Sequence, residues 1–193
     1  MNQFYAYVNR LKLIRRWGLM HNTVPENDME HTMQTALIAH GLAVLGRVRY
    51  GREVEPERVL ALAMYHDAGE VITGDLPTPV KYKNPGIHDA YRALEESATK
   101  QLLDMLPVDM RASYLPYLVP DGDCFEWQLV KAADRISAYL KCMEEQKMGN
   151  REFEQARKTT LESLRENPLS EVHAFMKEFI PSFSLTPDEL SQL

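Results

Sequence analysis

The stretch AMYHDAGEVITGDLPTPVKY, residues 63–82, joins an apolar helical segment to a group of polar residues and a proline-bounded loop. Small and apolar residues lead into His66 and Asp67, and Glu70 lies one helical turn beyond His66, so it can share that face. Gly74 and the two prolines that follow it cannot continue a helix. The stretch therefore predicts a helix that delivers polar side chains at its end, followed by a constrained loop.

Helical periodicity continues on both sides of this stretch. No segment shows sustained alternation of period two, and no repeat or Gly/Ser linker divides the chain. We therefore predict an all-α helical bundle, with residues 1–193 forming a single domain. The second predicted helix carries one apolar stripe: Met33, Leu37, Gly41, Val44 and Val48. The predicted helices cover residues 4–15, 28–48, 56–67, 85–102, 108–115, 124–148, 151–165 and 170–179, with a last turn from 186.

Composition limits the kinds of partner that this chain can bind. Its 45% hydrophobic and 26% charged residues are typical of a soluble globular protein. A net charge of −6 argues against binding a nucleic-acid polymer or a membrane surface, but permits a small anionic substrate held by a local arginine or lysine.

Cys124 and Cys142 lack metal-site or redox spacing and are expected to be reduced thiols. With no signal-peptide pattern and no apolar run of transmembrane length, we expect a cytoplasmic protein.

Three separated positions suggest a metal site. His31 lies in the first turn of a predicted helix, His66 and Asp67 end another, and Asp134 interrupts an otherwise apolar helix. Two imidazoles and two carboxylates bind a divalent cation while leaving coordination positions open for water and a phosphate oxygen. A cation would also compensate an aspartate at a position that otherwise looks like core.

Each of these residues also has a simpler interpretation. His31 can be a helix N-terminal residue with no ligand role, Asp134 can pair with a neighbouring basic residue, and Glu70 can be a solvated acid at a helix end. The order of one histidine, a His–Asp pair and a distant aspartate nevertheless resembles the ligand order of the HD phosphohydrolase superfamily.

Four blocks of the sequence resemble a narrower family, the bacterial HD-domain 5′-deoxynucleotidases. The blocks are NRLKLIRRWGLM, MEHTMQTALIAHGLA, LALAMYHDAGEVITGDLPTPVKY and LVKAADRISAYLKCMEE, and the ending FIPSFSLTPDEL is similar as well. The resemblance implies an HD-domain helical bundle, a homodimer, and metal-dependent removal of phosphate from deoxyribonucleoside 5′-monophosphates. Two departures from the family pattern are mild: Gly69 stands where a serine is familiar, and Arg135 follows the last ligand.

The resemblance also implies roles for individual residues. The metal ligands would be His31, His66, Asp67 and Asp134. Arg16, Asp67 and Glu70 would be catalytic, with Arg16 orienting the phosphate and Glu70 managing protons either through water or at the leaving 5′-oxygen. The substrate would contact Arg16, Trp17, His31, Asp67, Asp75, Leu76, Pro77 and Thr78.

Related enzymes with two metals use two additional histidines between the His–Asp pair and the last aspartate, whereas this chain has only His88 in that interval. We therefore expect one divalent ion per chain, of the cobalt, manganese, iron or zinc class. Two alternative functions remain open for a chain with this motif order. An HD-type deoxynucleoside triphosphohydrolase could use the same ligands with a longer phosphate pocket, and a non-catalytic HD-like signalling or binding module would need none of the catalytic residues.

Overall fold

The computed structural model describes residues 1–81 and 84–192, except for the side chains of Thr78 and Pro79. Over these ranges the chain forms helices and no strand, apart from one antiparallel bridge between Arg15 and Asn27. The all-α prediction is confirmed. The helices are α1 (Phe4–Val8), α2 (Asp28–Tyr50), α3 (Pro56–Met64), α4 (Glu70–Thr73), α5 (Thr78–Lys81), α6 (Pro85–Asp104), α7 (Val108–Leu118), α8 (Phe125–Lys147), α9 (Glu154–Arg165), α10 (Ser170–Glu178) and α11 (Pro187–Leu190), with 3₁₀ turns at Asn9–Leu13, Arg151–Phe153 and Ile180–Ser184.

The long helices α2 and α8 form the centre of the molecule, with α3, α9 and α10 packed around them. Helix α2 begins at a capping box, in which Asn27 accepts from the backbone of Glu30 and Glu30 accepts from the backbone of Asn27. It ends at Gly51, whose φ of +63° is the left-handed conformation that glycine adopts without a steric cost. Fully buried Ala39 and Ala43 let the neighbouring helices approach α2 closely. This arrangement places the first turn of α2 against the middle of α8.

The apolar stripe that the sequence shows on α2 is not its core face. Met33, Leu37 and Val48 are 57%, 64% and 73% exposed. The buried face consists mainly of small residues and leucines instead, which pack more closely against α3 and α8 than larger side chains would. Since both faces of α2 are apolar, periodicity alone does not distinguish the face in the core from the face in solvent.

Helix ends near the candidate site differ from the predicted ones. Helix α3 ends at Met64, and the chain then makes tight turns before α4 begins at Glu70. Backbone bonds from His66 to Ala63 and from Ala68 to Tyr65 close these turns. The predicted first helix gives way to a 3₁₀ turn at Asn9–Leu13, whose three-residue period matches the spacing of Val8, Leu11 and Ile14. The predicted loop 74–79 contains the start of α5.

A second apolar cluster supports the turns after α3. Ala68 lies in it with Phe4, Leu102, Leu106 and Leu118, all buried. Because Ala68 directly follows Asp67 in the chain, this packing restrains the backbone that carries the predicted ligands. Within the described part of the chain, no helix has the length and apolar character needed to cross a bilayer.

Candidate active site

The fold brings the four predicted metal ligands together from three separate elements. His31 comes from the first turn of α2, His66 and Asp67 from the turns after α3, and Asp134 from the middle of α8. Ligand atoms of His31, His66 and Asp134 all lie within 4.8 Å of one another. The Asp67 Oδ2 atom lies 3.1 Å from His66 Nε2 and 3.6 Å from His31 Nε2. The Asp134 Oδ1 atom lies 3.1 Å from His31 Nε2.

Hydrogen bonds on the far side of each imidazole orient both rings toward the carboxylates. His66 Nδ1 lies 2.7 Å from the Ala63 carbonyl oxygen, which can only accept, so Nδ1 carries the proton. Ser137 donates its hydroxyl proton to Gln34 at 2.6 Å and therefore accepts from His31 Nδ1 at 3.1 Å. In the neutral tautomers, both Nε2 atoms then present lone pairs to the carboxylates. A cation between them resolves that repulsion, so the residues present fit a metal ion.

The charge of the cluster leads to the same conclusion. Burial by itself raises the pKa of Asp67, but His66, His31 and Arg16 outweigh it and hold this pKa well below its ordinary value. The pKa of Asp134 is likewise lowered by His31 and His66 despite burial. Burial lowers the pKa of His66, whereas Asp67 and Asp134 raise it, and the net shift is upward. Ionised carboxylates around two histidines form a strong binding site for a cation and would repel a phosphate in its absence.

Arg16 is a basic side chain beside this cluster. Its guanidinium lies 3.4 Å from Glu26, 3.6 Å from Asp28 and 3.5 Å from Asp67, and only 14% of the side chain is exposed. Burial lowers its pKa, but Asp67 and the other surrounding carboxylates raise it further, so Arg16 is always charged. These ion pairs are long, and the Nε atom has no hydrogen-bond partner among the described residues. The planar group is therefore available to an anion entering the site.

Glu70 lies deeper, next to a second buried acid. Burial raises the pKa of Glu70 to about 11, with further contributions from Asp67, Asp28 and Asp75. Burial also raises the pKa of Asp28 to about 6, although the neighbouring Glu70 and the charge of Arg16 lower it. Neighbouring carboxylates repel each other when both are ionised, so the group with the higher pKa keeps its proton. The arrangement therefore keeps Glu70 protonated at neutral pH.

A cavity of about 720 Å³ opens beside these residues. Arg16, Trp17, Asp75, Pro77 and Asp134 line it, whereas partly buried Leu76 does not. The predicted contact through Thr78 involves a side chain outside the described part of the structure. The far wall comes from α8 and α9 and was not foreseen from the sequence; its residues are Arg135, Ala138, Gln155, Ala156, Thr159, Thr160 and Ser163.

Trp17 is held in an unusual backbone conformation. Its φ of +58° is left-handed, which costs a non-glycine residue roughly 1–2 kcal/mol. The indole donates to Glu26 at 2.9 Å, and its ring packs against Phe153 with centroids 5.2 Å apart. These contacts fix the side chain at the cavity wall next to Arg16.

Two acids of the site were missed by the sequence analysis. Glu26 contacts both Arg16 and Trp17, and fully buried Asp28 contacts Arg16. Both resemble ordinary helix-start acids in the sequence. One signal was present for Asp28: it precedes His31 by three positions on the same helix, so the two side chains share a face.

Comparisons with known proteins identify the family of this chain. The family model described as 5′-deoxynucleotidase YfbR-like matches residues 3–183. A 5′-deoxynucleotidase of Vibrio cholerae is 48% identical over 191 residues, which cover 98% of each chain. An HD-domain phosphohydrolase of Listeria innocua has a similar fold, with a TM-score of 0.82, 22% identity and coverage of 98% of this chain and 92% of the other.

A more distant structural neighbour contains ligands. The HD phosphohydrolase DatZ of cyanophage S-2L, bound to dA and one catalytic Zn²⁺ ion, has a TM-score of 0.64 and 20% identity, covering 94% of this chain and 96% of that one. At this identity it supports the fold. The family assignment rests on the family model and the close relatives, which span nearly the whole length. The chain belongs to the YfbR-like family of 5′-deoxynucleotidases.

Proposed function

We propose that this protein hydrolyses deoxyribonucleoside 5′-monophosphates to a deoxynucleoside and inorganic phosphate. The observation that carries the proposal is the convergence of His31, His66 and Asp134, the last of which lines the same cavity as Arg16. Its volume of about 720 Å³ is within the range of small-molecule sites. The whole-length similarity to 5′-deoxynucleotidases supports the same reaction.

We propose His31, His66, Asp67 and Asp134 as ligands of one divalent ion per chain. When bound, the ion supplies Lewis-acid activation of the phosphate and lowers the pKa of water. Zinc is supported by the catalytic Zn²⁺ of the cyanophage neighbour. The mixed nitrogen and oxygen ligand set suits cobalt, manganese and iron as well.

Arg16 and Asp67 then position the reacting groups. The Arg16 guanidinium donates a fork of hydrogen bonds to phosphate oxygens, and its loose pairs with Glu26 and Asp67 are exchanged for the substrate. Asp67, ionised in the folded protein, accepts a hydrogen bond from the attacking water and aligns it with phosphorus.

Glu70 provides the proton for the leaving group. Its carboxyl is protonated because burial and the neighbouring acids raise its pKa to about 11. As the water oxygen bonds to phosphorus and the bond from phosphorus to O5′ breaks, the Glu70 proton passes to O5′. Both water protons stay on the phosphate, which leaves as dihydrogen phosphate, and Glu70 takes up a new proton from solvent. A general acid at this position contributes about 10²–10⁴-fold to the rate.

We propose a sugar subsite formed by Trp17, Asp75 and Pro77, which all line the cavity. Asp75 accepts a hydrogen bond from a sugar hydroxyl, and the proline-bounded backbone has few conformations to lose when it does so. We expect ribonucleotides to react more slowly because the subsite leaves the 2′-hydroxyl either too little room or no partner.

An assay of the metal-reconstituted protein tests the proposal. Deoxyribonucleoside monophosphates should release phosphate, ribonucleotides should react more slowly, and deoxyribonucleoside triphosphates should yield no triphosphate. Triphosphate release combined with inert monophosphates would indicate a triphosphohydrolase instead. Phosphate release with equal efficiency from ribo- and deoxyribonucleotides would contradict the sugar subsite.

We also propose that residues 1–193 act as one domain, and that the protein is a homodimer. The exposed α2 stripe borders an apolar groove of about 460 Å³ formed by α2 and α10, which include Val44, Val48, Phe175 and Phe179. Monomeric proteins seldom expose contiguous apolar surface of this kind. Light scattering after size exclusion should give twice the monomer mass, and Val48→Glu should give the monomer with its activity retained. A wild-type monomer would refute the dimer.

We propose a cytoplasmic location because both cysteines are unpaired thiols. Cys142 is fully buried in the core, and burial raises the pKa of its thiol to about 12, so it is inert.

A further inference from the structure

The loop that enters α2 supplies much of the cavity wall. We name residues 14–28 the Arg16 loop. Backbone bonds of 3.1 Å close its base, with Arg16 N–H donating to Glu26 and Asp28 N–H donating to Ile14. The left-handed conformation of Trp17 within it persists only where surrounding contacts maintain it. The loop lines the cavity through Arg16, Trp17, Leu19 and Met20.

Glu145 holds the tip of this loop, on the side away from its base. Its carboxylate, fully buried near the C-terminus of α8, accepts backbone N–H bonds from Thr23 at 2.9 Å and Val24 at 3.0 Å. The Asn150 amide donates to Glu145 at 2.7 Å and to the His21 carbonyl at 2.8 Å. A buried carboxylate with this many donors is strongly restrained, and so is the backbone that donates to it.

Lys141 completes the anchor one turn earlier on the same helix. Its ammonium group, also buried, donates to the Glu145 carboxylate and to the Val24 carbonyl oxygen. It lies 5.5 Å from the centre of the Phe153 ring, against which Trp17 packs. The buried ion pair is therefore connected to the loop tip through backbone bonds and to Trp17 through an aromatic ring.

The position of the anchor on α8 connects it to the metal site. Glu145 follows Asp134 by eleven residues on one continuous helix, a rise of about 16 Å. A helix of this kind keeps the distance between the predicted ligand and the loop anchor constant. Compared with an apolar pair of similar size, a buried ion pair adds little stability, because the desolvation of both charges offsets their attraction. The effect of this ion pair on the geometry of the loop explains its presence better than a contribution to stability does.

We propose that Glu145 is a positioning residue, which with Lys141 and Asn150 anchors the Arg16 loop so that Arg16 and Trp17 face the substrate. The consequence for catalysis rests on the proposed nucleotidase function. Glu145 lies outside the cavity lining and acts only through the loop.

The test compares Glu145→Gln with the milder Asn150→Ser and with a matched control, Glu171→Gln. Glu171 is also fully buried and pairs with Arg52 at 3.0 Å, but on α10, remote from the loop. The readouts are KM and kcat for a deoxyribonucleoside monophosphate, Zn²⁺ affinity by calorimetry, and iodide quenching of Trp17 fluorescence in a Trp127→Phe background. That background leaves Trp17 as the sole tryptophan.

Glu145→Gln should lower kcat/KM by about tenfold, chiefly through KM, because the phosphate- and sugar-binding groups lose their alignment. Quenching of Trp17 should rise, Zn²⁺ affinity should stay at the wild-type value, and Glu171→Gln should change neither KM nor quenching. Asn150→Ser should raise KM and Trp17 quenching as well, but by a smaller amount than Glu145→Gln. If Glu145→Gln does not fold, the result for Asn150→Ser tests the proposal.

Unchanged KM and quenching in the folded loop variants, or equal changes in Glu171→Gln, would overturn the proposal. If the wild-type protein hydrolyses no deoxyribonucleotide, the proposed function fails, while quenching of Trp17 still decides whether Glu145 anchors the loop.

Discussion

Acidification should remove a defined part of the stability that Glu145 provides. Lys141, two backbone N–H groups and Asn150 stabilise the ionised carboxylate more than burial penalises it, which lowers the pKa of Glu145 from 4.5 to about 2. Since a difference of one pKa unit corresponds to about 1.4 kcal/mol, ionisation of Glu145 contributes about 3 kcal/mol to the free energy of unfolding at pH 7. Because the folded-state pKa is the lower one, this contribution is complete above about pH 5 and is lost as the pH falls toward 2.

We compare the wild-type protein with Glu145→Gln and measure the free energy of unfolding of each in urea, at pH 7 and at pH 3.5, with the same metal present. Between these pH values the unfolded carboxyl takes up about one proton and the folded one almost none, so the stability gap between wild type and variant should narrow by about 1.4 kcal/mol. Other titrating groups, including the metal ligands, occur in both proteins and cancel in the difference. If the difference in the free energy of unfolding between wild type and variant does not change with pH, the lowered pKa of Glu145 and the ion pair on which it depends are refuted.

Three further substitutions test the site and the entry to α2. Glu70→Gln should reduce kcat by about 10²–10⁴-fold while calorimetry shows retained metal binding, and near-normal turnover would exclude Glu70 as the acid. Arg16→Lys should lower kcat/KM by at least about tenfold because an ammonium group cannot form the planar fork, whereas the same change at exposed Arg15 should have little effect on the kinetics. Asn27→Ala removes the cap of α2 and should lower the free energy of unfolding by about 1 kcal/mol in urea; an unchanged midpoint would contradict the capping box.

Helix content and a set of candidate metal ligands could be predicted because both are expressed in local patterns. Asp134 stood out since an acid interrupts a run of apolar residues, and the structure places it 3.1 Å from His31. The end of α3 was placed two or three residues too late, since apolar periodicity continues up to His66 while the backbone has already turned at Met64.

The sequence by itself determined the all-α class, the family and the set of candidate ligands, because periodicity and motif order are properties of neighbouring residues. Only the tertiary structure showed that the exposed stripe of α2 is separate from its core face, that Asp28 lies next to Glu70, and that Glu145 binds the backbone of the loop bearing Arg16. Thr23 and Glu145 are 122 positions apart. Contacts over such separations depend on how helices pack, and a helix whose faces are both apolar does not specify its packing partner locally.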